Sequence, residues 1–197
     1  MEAVLDSQSK SLTITSDLIL YGTASPALAK RIAADIQNAW NAPGARVTLG
    51  GLPYVVRFII TGRYVPAWQA WMMLKLNRSK RNLFVRVEEK TNNSMAGISY
   101  WDGDGNTGEF RLSDILPPDS TTAAHEYGHG MGLLHPHKLD IRDPSATAGK
   151  KGGTLNPAHR KVRQEDIDAL HLEQRLGSGN TVELGGMSNV FHARAGS

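Results

Sequence analysis

Apolar residues alternate along Ser11 to Tyr21 at Leu12, Ile14, Leu18 and Leu20, a two-residue period that predicts a strand. The period then lengthens. Leu28, Ile32, Ile36 and Trp40 recur at helical spacing behind Ser25, a good N-cap, and Pro26, which suits the first helical position. Pro43-Gly44 ends that helix. Arg46 to Leu49 and Tyr54 to Thr61 read as strands, with Val55, Val56, Phe58, Ile59 and Ile60 expected inside, and Leu83 to Glu88 reads as another. A hairpin follows, from Ala96 to Trp101 and Gly108 to Leu112, turning at Asp102-Gly103-Asp104-Gly105-Asn106.

Pro117, Pro118 and Asp119 close this strand-rich region, and Asp119 or Ser120 can cap a helix beginning near residue 121. Ala123, Ala124, Tyr127 and Met131 give that helix an apolar side, whereas Gly128 and Gly130 weaken it by about 1 kcal/mol each. Glycine at such a cost implies close packing against it. From Lys138 to Lys161 the chain is rich in Gly, Pro, Lys and Arg and reads as a long ordered loop with a solvated basic face. A helix starts at Gln164 with acidic residues in its first turn and ends at Gly177-Ser178-Gly179-Asn180, before a strand-like run from Thr181 to Leu184. Strand, helix, several strands and a second helix in that order imply an α+β fold, a mixed twisted sheet with backing helices.

Composition bounds the picture without deciding it. The 197 residues suffice for one core or for two lobes sharing a cleft, and 40% hydrophobic with 21% charged is ordinary globular usage. No apolar run is long enough for a membrane span, and no secretory signal is visible. The net charge of +3 is too weak and unpatterned to argue for nucleic acid. With no cysteine, any metal must be held by nitrogen and oxygen.

Residues 125–135, His-Glu-Tyr-Gly-His-Gly-Met-Gly-Leu-Leu-His, supply the chemistry. On a helix His125 and His129 project from one face, so two neutral imidazoles can reach one zinc ion while Glu126 sits beside it. On the same straight helix His135 would lie about 9 Å beyond His129 and on another face. The chain must therefore leave the helix and turn back, and Gly132 is the residue best able to take the left-handed conformation this needs. Three protein ligands leave zinc an open position, as catalytic sites do, and Glu126 can act as general base and then acid.

This run resembles the zinc signature of the metzincin metallopeptidases, and Arg163 to Asp168 is similar to the opening of the C-terminal helix in matrixin-like members. The resemblance implies a single catalytic domain, 1–197, with an N-terminal lobe to about residue 132 that carries the active-site helix. A smaller irregular C-terminal lobe with one helix would follow from about residue 133. It also implies zinc at the bottom of a cleft and a protein or peptide substrate lying along an edge strand, for which Ala96 to Trp101 is the candidate. The departure is the methionine turn. Asp143-Pro144-Ser145-Ala146-Thr147 fills the expected slot with alanine, and Met187 is the alternative methionine. No tyrosine follows His135.

A second resemblance, through Gly105 to Phe110, Gly152 to Pro157 and the missing signal, is to leaderless bacterial metallopeptidase toxin domains. It implies an effector exported or delivered without a classical signal peptide and a cognate inhibitor or immunity protein. The alternatives are a zinc amidase acting on cell-wall peptides and a catalytically silent metal-binding interaction domain.

Three weaker features have plainer readings. Asp102 to Glu109 spaces oxygens like the start of a calcium loop but lacks glycine at the sixth position and glutamate at the twelfth, and reads as an acidic hairpin turn. His137 reads as a solvated histidine. Trp68, Trp71, Met72 and Met73 read as core or lobe packing in preference to a membrane or partner site.

Overall fold

The computed structural model describes residues 1–89, 99–103, 105–118, 120–133 and 161–193. Its axis is β2 (Ser11–Gly22), twelve residues that pair with three other strands. Along one side it pairs in parallel with β4 (Leu52–Tyr64). Along the other, β1 (Glu2–Asp6) pairs antiparallel with Ser11 to Thr15, and β5 (Asn82–Glu88) pairs in parallel from Asp17 to Gly22. Beyond β5 lie β7 (Thr107–Arg111), parallel to it, and β6 (Tyr100–Trp101), antiparallel at the edge. At the far end β3 (Arg46–Leu49) pairs antiparallel with β4, and β8 (Thr181–Glu183) pairs antiparallel with β1. The expected mixed sheet with backing helices is the fold observed.

Strand alternation gives the sheet two apolar faces. One carries Leu12, Ile14, Leu18, Leu20, Val56, Phe58, Ile60, Val85 and Phe110 beneath α1 (Pro26–Asn41) and α4 (Thr122–Gly130). The other carries Ile19, Tyr21 and Phe84 beneath Ala70 and Leu74 of α2 (Ala67–Lys75). The first helix begins as its sequence dictates. Ser25 is extended, its hydroxyl accepts the Leu28 N–H at 3.1 Å, and Pro26 takes the first position.

What fixes α4 is a buried junction of three aromatic side chains. Trp40 of α1 stands 5.2 Å from the Phe58 ring and 6.0 Å from that of Tyr127, and its indole N–H donates to the Ala124 carbonyl at 3.1 Å. The Tyr127 hydroxyl lies 2.8 Å from Ser16 Oγ, so α4 is tied by side-chain hydrogen bonds both to α1 and to β2.

Four expectations change. Ile59 is 50% exposed, because Val56, Phe58 and Ile60 take the α1 face and their neighbour must point the other way. Trp68, Trp71 and Met72 lie on the solvent side of α2, since Ala70 and Leu74 make its buried contact. The helix from Gln164 is two short ones, Gln164–Asp168 and Leu172–Leu176, parted at His171, which takes a left-handed φ of 50°. Between Arg111 and α4 there is also a short helix, α3 (Leu112–Ile115), where the hairpin strand was expected to reach Leu112. Val162, Ile167, Leu170, Leu172, Leu176 and Leu184 all join the core under α1 and α4, so the C-terminal segments pack on the same sheet.

Replacing Tyr127 by Phe keeps the ring and strands the buried Ser16 hydroxyl. The expected loss of stability is about 1–3 kcal/mol in denaturant unfolding, without a change in the slope of the transition.

Candidate active site

The helix bearing the histidines starts after Pro117-Pro118. Ser120 Oγ accepts the Thr122 N–H at 3.2 Å and donates to the Asp114 carbonyl, which links the helix start to α3. Asp114 also accepts from the Ser99 backbone N–H at 2.8 Å and its hydroxyl at 2.9 Å, and Ser99 Oγ in turn accepts the Arg111 N–H. The loop before α4 and the β6–β7 hairpin are therefore one hydrogen-bonded unit.

His125 and His129 lie one turn apart with ring centroids 5.0 Å from each other and planes at 86°. Their orientation is set at the helix end. Gly132 has φ +92°, and two hydrogen bonds close the turn there: Gly132 N–H to the His129 carbonyl at 2.8 Å and Leu133 N–H to the Gly128 carbonyl at 3.1 Å. This is a Schellman end, with glycine where a left-handed residue is required. Leu133 is buried, and its carbonyl meets His129 Nδ1 at 2.9 Å. A carbonyl can only accept, so Nδ1 carries the proton and Nε2 presents its lone pair.

Glu126 is buried, with its Oε1 3.9 Å from His125 Nε2, close but outside hydrogen-bonding range. Burial pushes its carboxyl up to about 8; the nearby charge of Asp114 adds to the rise, and a hydrogen bond from the Trp101 backbone opposes it. That last contact joins the carboxyl to the edge strand. The indole of Trp101, held by an Nε1–H bond to the Gly105 carbonyl at 2.7 Å, lies against Gly130. A Cβ at residue 130 would stand 2.7 Å from Trp101 Cε2 and 2.9 Å from Cζ2. The close neighbour implied by glycine in this helix is that indole.

Of the residues singled out from sequence, the structure brings His125, Glu126 and His129 together and places Gly132 at the turn. His135 and His137 lie outside the described residues, as do 138–160, Asp104, Asp119 and 96–98. Met187 is 47% exposed, next to Ser188, whose N–H donates to Asn106 Oδ1 at 2.7 Å. In the hairpin turn, Asp102 Oδ2 is taken by Thr107 Oγ1 and by His192 Nε2 at 2.6 Å, so protein donors already occupy it. Asp114, Ser99 and Trp101 were not anticipated. Their relation to Glu126 depends on tertiary contacts, although the cost of Gly130 in a helix did signal a neighbour.

The donor set suits zinc: two imidazoles on one helical face, one with its tautomer fixed by a backbone carbonyl, and a buried carboxyl beside them. Comparison with known proteins adds little. No family model matches the chain, and no curated protein matches it. A solved structure that it resembles is archaemetzincin from Methanopyrus kandleri, at 13% identity and a TM-score of 0.44, over 81% of this chain and 96% of that one. The site stands on its own residues.

Alanine at position 130 should lower stability. The gain in helix propensity is about 1 kcal/mol, whereas forcing the packed Trp101 ring aside costs about 1–3 kcal/mol. A fall in the thermal midpoint of Gly130→Ala, with altered Trp101 fluorescence, is the expected result.

Proposed function

We propose that the chain is a zinc-dependent endopeptidase in which His125, His129 and His135 hold the ion and Glu126 moves the proton. The observation that carries this reading is the His129 Nδ1–H bond to the Leu133 carbonyl, formed by the turn at Gly132. It is the backbone support that metal-bound histidines use to fix tautomer and ring orientation. Zinc, when bound, polarises the scissile carbonyl and makes water a nucleophile near neutral pH.

The remaining steps belong to the chain. In its ionised form, which the positive charge of a bound ion would favour, Glu126 accepts a proton from the attacking water and returns it to the leaving amine nitrogen, so a single group serves as base and then acid. The carboxyl is buried on α4 on the side of the edge strand that carries Trp101. An extended peptide adding to an edge such as β6 would present its carbonyls near that carboxyl. Delivery as a toxin or effector, and control by a cognate inhibitor, extend this reading through the resemblance of the Gly105 and Gly152 segments.

The test pairs metal content with cleavage. The purified protein should carry about one zinc per chain and cleave casein or a peptide library until a chelator is added. Glu126→Gln should keep the metal and lose roughly 10²–10⁴-fold in rate. A Glu126→Gln protein that binds zinc and cleaves at the wild-type rate sinks the role of Glu126, and a protein with no zinc sinks the reading as a whole. Cleavage confined to peptidoglycan fragments would transfer the same chemistry to a cell-wall amidase.

A further inference from the structure

The sheet face turned away from His125 and His129 carries a second surface, independent of the zinc reading. There α2 buries Ala70 and Leu74 against Ile19, Tyr21 and Phe84 and leaves Trp68 66%, Trp71 48%, Met72 46% and Leu76 72% exposed. Two tryptophans, a methionine and a leucine within nine residues form a contiguous apolar surface, which soluble proteins seldom leave uncovered without a purpose. The chain segment that carries it is basic. From Gly62 to Arg81 there are five basic residues and no acidic one. Arg81 is paired with Asp17 and Lys80 with Glu183, whereas Arg63, Lys75 and Arg78 form no salt bridge among the described residues. Strand alternation extends the surface along β4, where Arg57, Ile59 and Arg63 share the face opposite Phe58 and Ile60.

We propose that this face docks on an anionic lipid bilayer, with the exposed side of α2 at the depth of the headgroups. Tryptophan favours that depth because its ring is apolar and its N–H polar, and cations beside it are drawn to the negative surface. A short helix with apolar residues facing outward and basic residues at its margins is how peripheral proteins lie in the interface without crossing it. Charge complementarity selects the occupant. A purely apolar partner surface would leave Arg63, Lys75 and Arg78 without counterions, and an anionic bilayer supplies them. Since α2 and α4 lie on opposite faces of the sheet, docking would leave the histidine face turned away from the lipid.

The intact chain would be sedimented with vesicles of phosphatidylcholine alone and of phosphatidylcholine mixed with phosphatidylglycerol, at low and high salt. Binding should appear with the anionic lipid, fall with salt, and be accompanied by a blue shift in tryptophan emission. Of the four tryptophans, Trp40 and Trp101 are buried, so such a shift reports Trp68 and Trp71. Trp68→Ala/Trp71→Ala and Lys75→Gln/Arg78→Gln should each weaken binding by about tenfold or more. These side chains are exposed, and unchanged unfolding midpoints would show that the variants fold. Binding to neither vesicle, or equal binding by wild type and both variants, overturns the proposal. So does concentration-dependent self-association that buries Trp68 and Trp71 in place of lipid.

Discussion

A single constraint shapes the site: the helix carrying His125 and His129 has to stop at residue 131 and leave by a left-handed turn. Gly132 makes the turn possible, and the Leu133 carbonyl that it brings round is the acceptor for His129 Nδ1–H. Were the helix to continue, that carbonyl would be engaged along the axis and the imidazole would be free to choose its tautomer. The backbone event and the chemical readiness of the side chain are thus the same event. The aromatic junction of Trp40, Phe58 and Tyr127 matters because it fixes where the rest of α4 lies when the turn is made.

Glu126 shows a second dependence. A carboxyl buried on a helix next to two imidazoles is costly unless something supports it. Burial wins here and pushes the carboxyl up to about 8, with the Trp101 backbone of the edge strand opposing the rise, and the same residue closes its indole over Gly130. The unfavourable helix residue is what lets the Trp101 indole of the strand pack closely against α4. Local instability of α4 and its connection to β6 therefore have a common origin, and a helix optimised for propensity at position 130 would hold the strand off.

The parts of this arrangement legible in the sequence are those governed by near neighbours. Ser25 and Pro26 announced the start of α1, the glycine-rich turn announced the β6–β7 hairpin, and the offsets within 125–135 placed two histidines on one face and a left-handed glycine after them. Long-range pairing was not legible. Nothing near Glu2 or Thr181 tells that β1 and β8 pair with each other, or that β1 and β5 divide one side of β2 between them. The exposure of Ile59 is hidden in the sequence because five apolar residues in six obscure the alternation that decides which face each takes. The break at His171, a histidine at positive φ, has no local signal in the sequence.

The outward side of α2 is hidden for a different reason. Its tryptophans and methionines have the composition of a core, and hydrophobicity alone assigns them inside. Geometry assigns them outside, because a nine-residue helix can present one narrow stripe to the sheet, and Ala70 and Leu74 are that stripe. The small alanine lets the helix sit close and leaves the large side chains no room beneath. A sheet with helices on both faces thus has two different surfaces: one where α1 and α4 enclose polar chemistry, and one where a short helix is too narrow to cover its own apolar residues. What remains uncovered on that second face is set by the length of α2, and its basic margin gives the uncovered part a preference for negative charge.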